Sequence, residues 1–135
     1  MSAADRITAF LRIAQEELDA ARALRVTGPR QSAYFCQQCA EKIARAILAH
    51  ASALFGTGHN LGQMAASLPD GHPWREKLRG LDKHSPAATR YRYPGPTGRL
   101  APPPSAEQLA DDIRELAMLL EDARRFTGAA GGKQA

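Results

Sequence analysis

Seven cations fall between positions 75 and 99, namely Arg75, Lys77, Arg79, Lys83, Arg90, Arg92 and Arg99, against two acids, Glu76 and Asp82. The formal charge of the whole chain is +4, so the positive charge is concentrated here and the remainder is slightly acidic. Trp74, Tyr91 and Tyr93 are interleaved with these cations. Such a mixture can grip phosphates, by displacing their counterions, and can stack on bases, each of which offers a π-face. Trp74, Arg90, Tyr91, Arg92 and Tyr93 are therefore candidate nucleotide- or RNA-binding residues. The competing reading is a solvated loop whose cations meet acids further along the chain, such as Asp111, Asp112 and Glu115. A second cluster is Cys36 and Cys39, in a spacing that can hold zinc or cycle as a disulfide. A structural zinc site needs four ligands, and the sequence has neither a second cysteine pair nor a His-x-x-x-His. Redox pairs favour a helix N-terminus, whereas Cys36 falls about a turn and a half inside a helical pattern. The two thiols read as small buried packing residues, and no metal or cofactor is expected.

Helices must position these groups. Ile7, Phe10, Leu11, Ala14, Leu18, Ala21 and Leu24 recur at spacings of three and four, which predicts one amphipathic helix over 3–25. Ser2 followed by Asp5 is an N-cap with an acid in the first turn. Thr27, Gly28 and Pro29 stop that helix and open another over 31–53, with a broad apolar face from Ala33 through Ala51. So short a turn makes the two helices adjacent and antiparallel. Short helices are predicted over 61–68 and 74–82. Pro86, Pro94, Pro96 and Pro102 to Pro104 make 85–104 a long irregular loop, and loops of that length inside a domain are often functional. Ser105 and Gln108 form a capping box for a last helix over 106–126, and 127–135 is expected to be a disordered tail.

At 135 residues the chain has the size of one domain, expected over 1–126, with no internal repeat. Aromatic residues are only 6% and alanine is abundant, which suits close helix packing better than a β-sandwich. The expected fold is all-α, an up-and-down antiparallel bundle of four to five helices. No run approaches the roughly 20 apolar residues that cross a bilayer. The N-terminus carries Asp5 and no apolar stretch of a signal peptide, so the expectation is a cytoplasmic protein that does not enter a membrane.

The run from Ala33 through Tyr34, Phe35, Gln37, Gln38, Glu41 and Lys42, then His59, Asn60 and Leu61, then Arg92, Tyr93 and Pro94, resembles the HEPN family in order and spacing. The family name stands for higher eukaryotes and prokaryotes nucleotide binding. The likeness spans nearly the whole chain, although Cys36 and Cys39 stand where the family has small aliphatic residues. It implies a helical bundle that is commonly dimeric, with the two long helices as the dimer surface. It also implies a nucleotide or RNA ligand and, in prokaryotes, a small nucleotidyltransferase as partner in a toxin and antitoxin type pair. His59, which matches the family's histidine before the third helix, could contact a nucleotide phosphate or could cap the helix. Arg92, Tyr93 and Pro94 could touch ligand, or Tyr93 could pack on the bundle while Pro94 stiffens the loop.

One branch of the family consists of metal-independent ribonucleases that use an Arg-x4-6-His motif. In it arginine clamps the phosphate and histidine moves the proton. Arg79 with His84 and Arg45 with His50 both have that spacing. About one such match arises by chance in a chain of this composition, so the spacing alone decides nothing. Arg79 and His84 are the better catalytic pair, because residues five apart need a helix end to converge and Ser85 and Pro86 supply one, whereas Arg45 and His50 diverge in mid-helix. The leading expectation is an accessory nucleotide- or RNA-binding module, a homodimer partnering a nucleotidyltransferase. The alternatives are a ribonuclease toxin acting through Arg79 and His84, and a non-catalytic helical scaffold.

Overall fold

A computed structural model of the chain describes residues 2–53 and 60–129. Among these residues every regular element is helical: α1 (Ala3–Leu24), α2 (Pro29–His50), α3 (Leu61–Ala66), α4 (Arg75–Gly80), a 3₁₀ helix (Leu81–Ala88) and α5 (Ala106–Thr127). The all-α bundle expected from the sequence is the fold. No helix among the described residues is long and apolar enough to cross a membrane.

The first helix begins in a full capping box. The Ser2 hydroxyl accepts from the Asp5 amide at 3.1 Å, and the Asp5 carboxylate accepts from the Ser2 amide at 3.2 Å. Its stripe of Ile7, Leu11, Ala14, Leu18 and Ala21 is buried against α2, where Ala33, Cys36, Ala40, Ile43, Ala44 and Ile47 face inward. Alanines on both sides let the backbones approach, and the Ser32 hydroxyl donates to the Ala21 carbonyl at 2.8 Å across the pair. Gly28 is the N-cap of α2 and Pro29 its first residue, where the missing amide proton costs nothing. The C-terminus of α2 comes three residues earlier than expected. Ser52 takes a left-handed φ of 55°, and the Ala53 amide turns back to the Leu48 carbonyl at 2.9 Å. Hydrophobic periodicity cannot reveal such a cap, because it requires one residue to leave the helical region.

The alternation of directions holds for α1 against both of its long neighbours, but α5 lies parallel to α2. Arg25, just beyond α1, donates to the Ala106 carbonyl at the start of α5, while His50 and Phe126, near the C-terminal ends of α2 and α5, stack at 5.0 Å. The reason is the return path: α3, α4 and the 3₁₀ helix carry the chain back along α2 before α5 begins. The segment from Thr89 to Pro104 consequently lies at the end of the bundle where α2 and α5 start. Thr127 belongs to α5, and Gly128, at φ 72°, caps it. The tail expected over 127–135 falls, from 130 on, outside the described residues.

Candidate functional site

The irregular loop expected from residue 85 starts at Thr89 instead, because 81–88 forms the 3₁₀ helix. Its buried residues are Leu81, His84 and Ala87, at the three-residue repeat of that helix type. Ser85 and Pro86, which read as stop signals, sit inside it. Pro86 gives up one amide, but its carbonyl accepts from Thr89 at 3.2 Å and Arg90 at 2.8 Å, so turning continues into the basic segment. The helix is also tied down laterally. Ser85 accepts from the Leu61 amide at 3.1 Å, Asp82 accepts from the Gly62 amide at 2.9 Å, and the Ser85 hydroxyl donates to Asp82 at 2.9 Å. With Asn60 accepting from Gln63, the first three amides of α3 are all satisfied.

That frame holds His84 nearly buried, at 6% exposure. Its Nε2 is 4.0 Å from the Glu115 carboxylate and has no hydrogen-bond partner among the described residues. Burial pushes the imidazole pKa below its ordinary value. Asp112 opposes that shift, Lys83 reinforces it, and Glu115 opposes it least. Burial therefore favours the neutral form of the His84 imidazole. The cleft it borders, of about 310 Å³, is also walled by Cys36, Arg90, Tyr91, Gln108 and Asp112.

Six of the seven cations divide into two groups, and the seventh, Lys77, lies over the Trp74 ring. Arg75 pairs with Asp70, Arg79 with Glu76, and Lys83 with Glu115 at 2.9 Å and Asp112 at 4.0 Å. For this half the solvated and neutralised reading is correct. Arg90, Arg92 and Arg99 meet no carboxylate within ion-pair distance among the described residues. Arg92 is instead held by rings and a carbonyl: its guanidinium carbon lies 4.6 Å from the Tyr34 centroid and 5.3 Å from that of Tyr93, and it donates to the Ala88 carbonyl at 3.4 Å. Aromatic faces hold a cation in place without cancelling its charge.

Beyond Tyr93 the chain makes a closed turn. The Gly98 amide donates to the Gly95 carbonyl at 2.9 Å around Pro96 and Thr97, and the Gly95 amide donates to the Arg99 carbonyl at 2.8 Å. Gly98 has φ +80°, a conformation that favours glycine. This turn brings Arg99 back beside Tyr93, so that both border a second cleft, of about 470 Å³, together with Arg90, Leu100 and Pro102.

The sequence candidates separate accordingly. Arg90, Tyr91, Arg92 and Tyr93 lie together at this end of the bundle, with His84 beneath them. Trp74 does not join them. It is 2% exposed, packs 6.0 Å from the Phe126 ring and carries Lys77 on its face at 4.6 Å, so it offers no ring to a base. Arg79 is exposed, with its charge occupied by Glu76, and no hydrogen bond or ion pair joins it to His84. Arg45 pairs with Glu41 at 3.1 Å, and His50 packs on Phe126. His59 lies outside the described residues. Cys36 and Cys39 are buried, and burial pushes Cys36 up to about 12 and Cys39 higher still, so neither forms a thiolate near neutral pH. Tyr34 and Arg99 were not singled out by sequence reasoning. Arg99 belonged to the counted basic run, whereas nothing local connects Tyr34 to a residue 58 positions away.

The chain belongs to the class of small all-helical bundle domains, here with arginines and tyrosines gathered at one end. Within that class the chain belongs to the HEPN domain family, whose sequence model matches residues 7–132. Neither a curated protein nor a solved structure matches it. Family membership accords with a nucleotide- or RNA-related module.

Proposed function

We propose that the chain is an accessory module that binds a nucleotide or RNA at the Arg90 to Arg99 end of the bundle. It acts as a homodimer beside a nucleotidyltransferase, in a pair of the toxin and antitoxin type. The observation carrying the ligand reading is that Arg90, Arg92 and Arg99 lack carboxylate partners among the described residues while Arg75, Arg79 and Lys83 have them. An arginine left without a counter-charge in the fold is one whose charge remains available to phosphate. Family membership supports both the ligand class and the dimer.

Anisotropy titration of labelled RNA tests this reading. The Arg90→Ala, Arg92→Ala double variant is expected to lose most of its RNA affinity while its fold and oligomeric state stay intact. The wild-type salt dependence should have a logarithmic slope of about −2, from roughly 0.7 for each of three phosphates contacted on a single strand. Unchanged binding by the double variant would refute the reading and leave the scaffold alternative.

One observation favours a second reading, metal-independent RNA cleavage: a nearly buried His84, whose burial favours the neutral imidazole, borders a cleft that also contains Arg90. In such a reaction His84 would take the proton of the 2′-hydroxyl as its oxygen bonds to phosphorus and the phosphorus–O5′ bond breaks, leaving a 2′,3′-cyclic phosphate on the upstream product and a 5′-hydroxyl, protonated from solvent, on the downstream one. Incubation with RNA and analysis of product ends tests it. Cleavage that persists unchanged in both Arg79→Ala and His84→Ala removes those residues from the role.

A further inference from the structure

We infer that the two clefts take consecutive nucleotides of one unpaired polynucleotide strand, with a base stacked on Tyr93, the intervening phosphate on Arg90 and the next phosphate on Arg99. The inference rests on the ligand reading above and specifies its substrate class. The clefts are neighbours, since Arg90 and Pro102 belong to the walls of both. Their volumes of about 310 and 470 Å³ lie near the small end of ligand sites, where one nucleotide each is the fitting occupant. Arg90, as their common wall, stands where the phosphate linking two such occupants would pass.

The second cleft has the chemistry of a base site. Tyr93 is 56% exposed and Leu100 62%, so the cleft keeps apolar surface in contact with water that a base could cover. Tyr93 already belongs to a stack, since the Arg92 guanidinium lies over its ring and over that of Tyr34. A base added to Tyr93 extends that stack, and the ring is held in register by Arg92 before the ligand arrives. Arg99 is delivered beside it by the Gly95 to Arg99 turn, and among the described residues it has no carboxylate to compete with phosphate. A duplex buries its base faces in its own stack and could offer Tyr93 nothing. A mononucleotide would fill one cleft and leave the other empty.

The experiment compares labelled unpaired RNA of about ten nucleotides, the unpaired DNA of the same sequence, the RNA duplex, and competition by adenosine monophosphate against a dinucleoside monophosphate. Unpaired strands of either sugar should bind at least about tenfold more tightly than the duplex, and the dinucleotide should compete better than the mononucleotide. Tyr93→Ala and Arg99→Ala should each weaken the unpaired strand roughly tenfold, and Tyr93→Phe should restore binding, since it keeps the ring. Circular dichroism melts identical to wild type confirm that these exposed positions leave the fold alone. Equal affinity for duplex and unpaired strand overturns the inference. So does a Tyr93→Ala variant that binds normally while Arg90→Ala does not, an outcome under which the anion-binding site itself survives. If neither Arg90→Ala nor Arg92→Ala changes binding, the site reading and the inference fall together.

Discussion

His84 holds its imidazole out of water between charged neighbours, and the consequence is a pH dependence with a definite sign. Burial is the larger influence and lowers the folded-state pKa below the unfolded one, with Lys83 adding to it and Asp112 and Glu115 working against it. Between the two values the unfolded chain binds more protons, so stability conferred by neutral His84 is complete above about 6.5 and is lost as pH falls toward the folded-state pKa. The thermal midpoint should therefore decline from about pH 7 to about pH 5, and His84→Gln should flatten that decline. An identical slope in the variant would assign the acid sensitivity to other groups. The residue scale is also where sequence reading was weakest. Trp74 and Tyr93 stand in the same basic stretch, yet one is 2% exposed and the other 56%. Local composition is the same for both, and what separates them is whether Phe126, on a distant helix, lies against the ring.

Among the elements, the 3₁₀ helix does the positioning. Its grip on α3 passes through Asp82 and Ser85, which supply acceptors to two amides that would otherwise be orphaned at the start of α3. Asp82→Ala should lower unfolding stability by about 1 kcal/mol, measured by urea denaturation, the usual size of a lost helix cap. Asp82→Asn, which retains an acceptor oxygen, should recover most of it. A loss indistinguishable from zero would mean water replaces the carboxylate and the tie is not structural. The long helices were readable to within a residue or two at their beginnings, because Ser2, Gly28 with Pro29, and Ser105 are side-chain or backbone signals of a start. The 3₁₀ helix was read as the end of one helix followed by loop. Its Leu81, His84 and Ala87 repeat is only three residues long, and serine and proline inside it carry the opposite local message.

For the whole molecule the expected assembly is a dimer, so light scattering should return about twice the 14.6 kDa of the chain. The α1 face is the surface to probe, because Ile13 there remains 41% exposed on a long helix whose opposite face is core. Ile13→Glu should shift the population toward monomer, by removing apolar area that the partner would cover and placing a charge there. A wild-type mass that stays monomeric at every concentration tested would refute the dimer.

The amino-acid order alone determined that this chain is helical, where its three long helices lie, and that its positive charge is concentrated after Trp74, since periodicity, caps and composition are local properties. It also carried the motifs by which the HEPN family is identifiable. Which of those cations are paired with carboxylates was decided only by tertiary structure. Asp70, Glu76, Asp112 and Glu115 reach Arg75, Arg79 and Lys83 but not Arg90, Arg92 or Arg99, and Tyr34 meets Arg92 because the return of the chain along α2 brings them to the same end of the bundle. Charge pairing and ring stacking act over a few ångströms of space, a distance that separation along the chain does not encode.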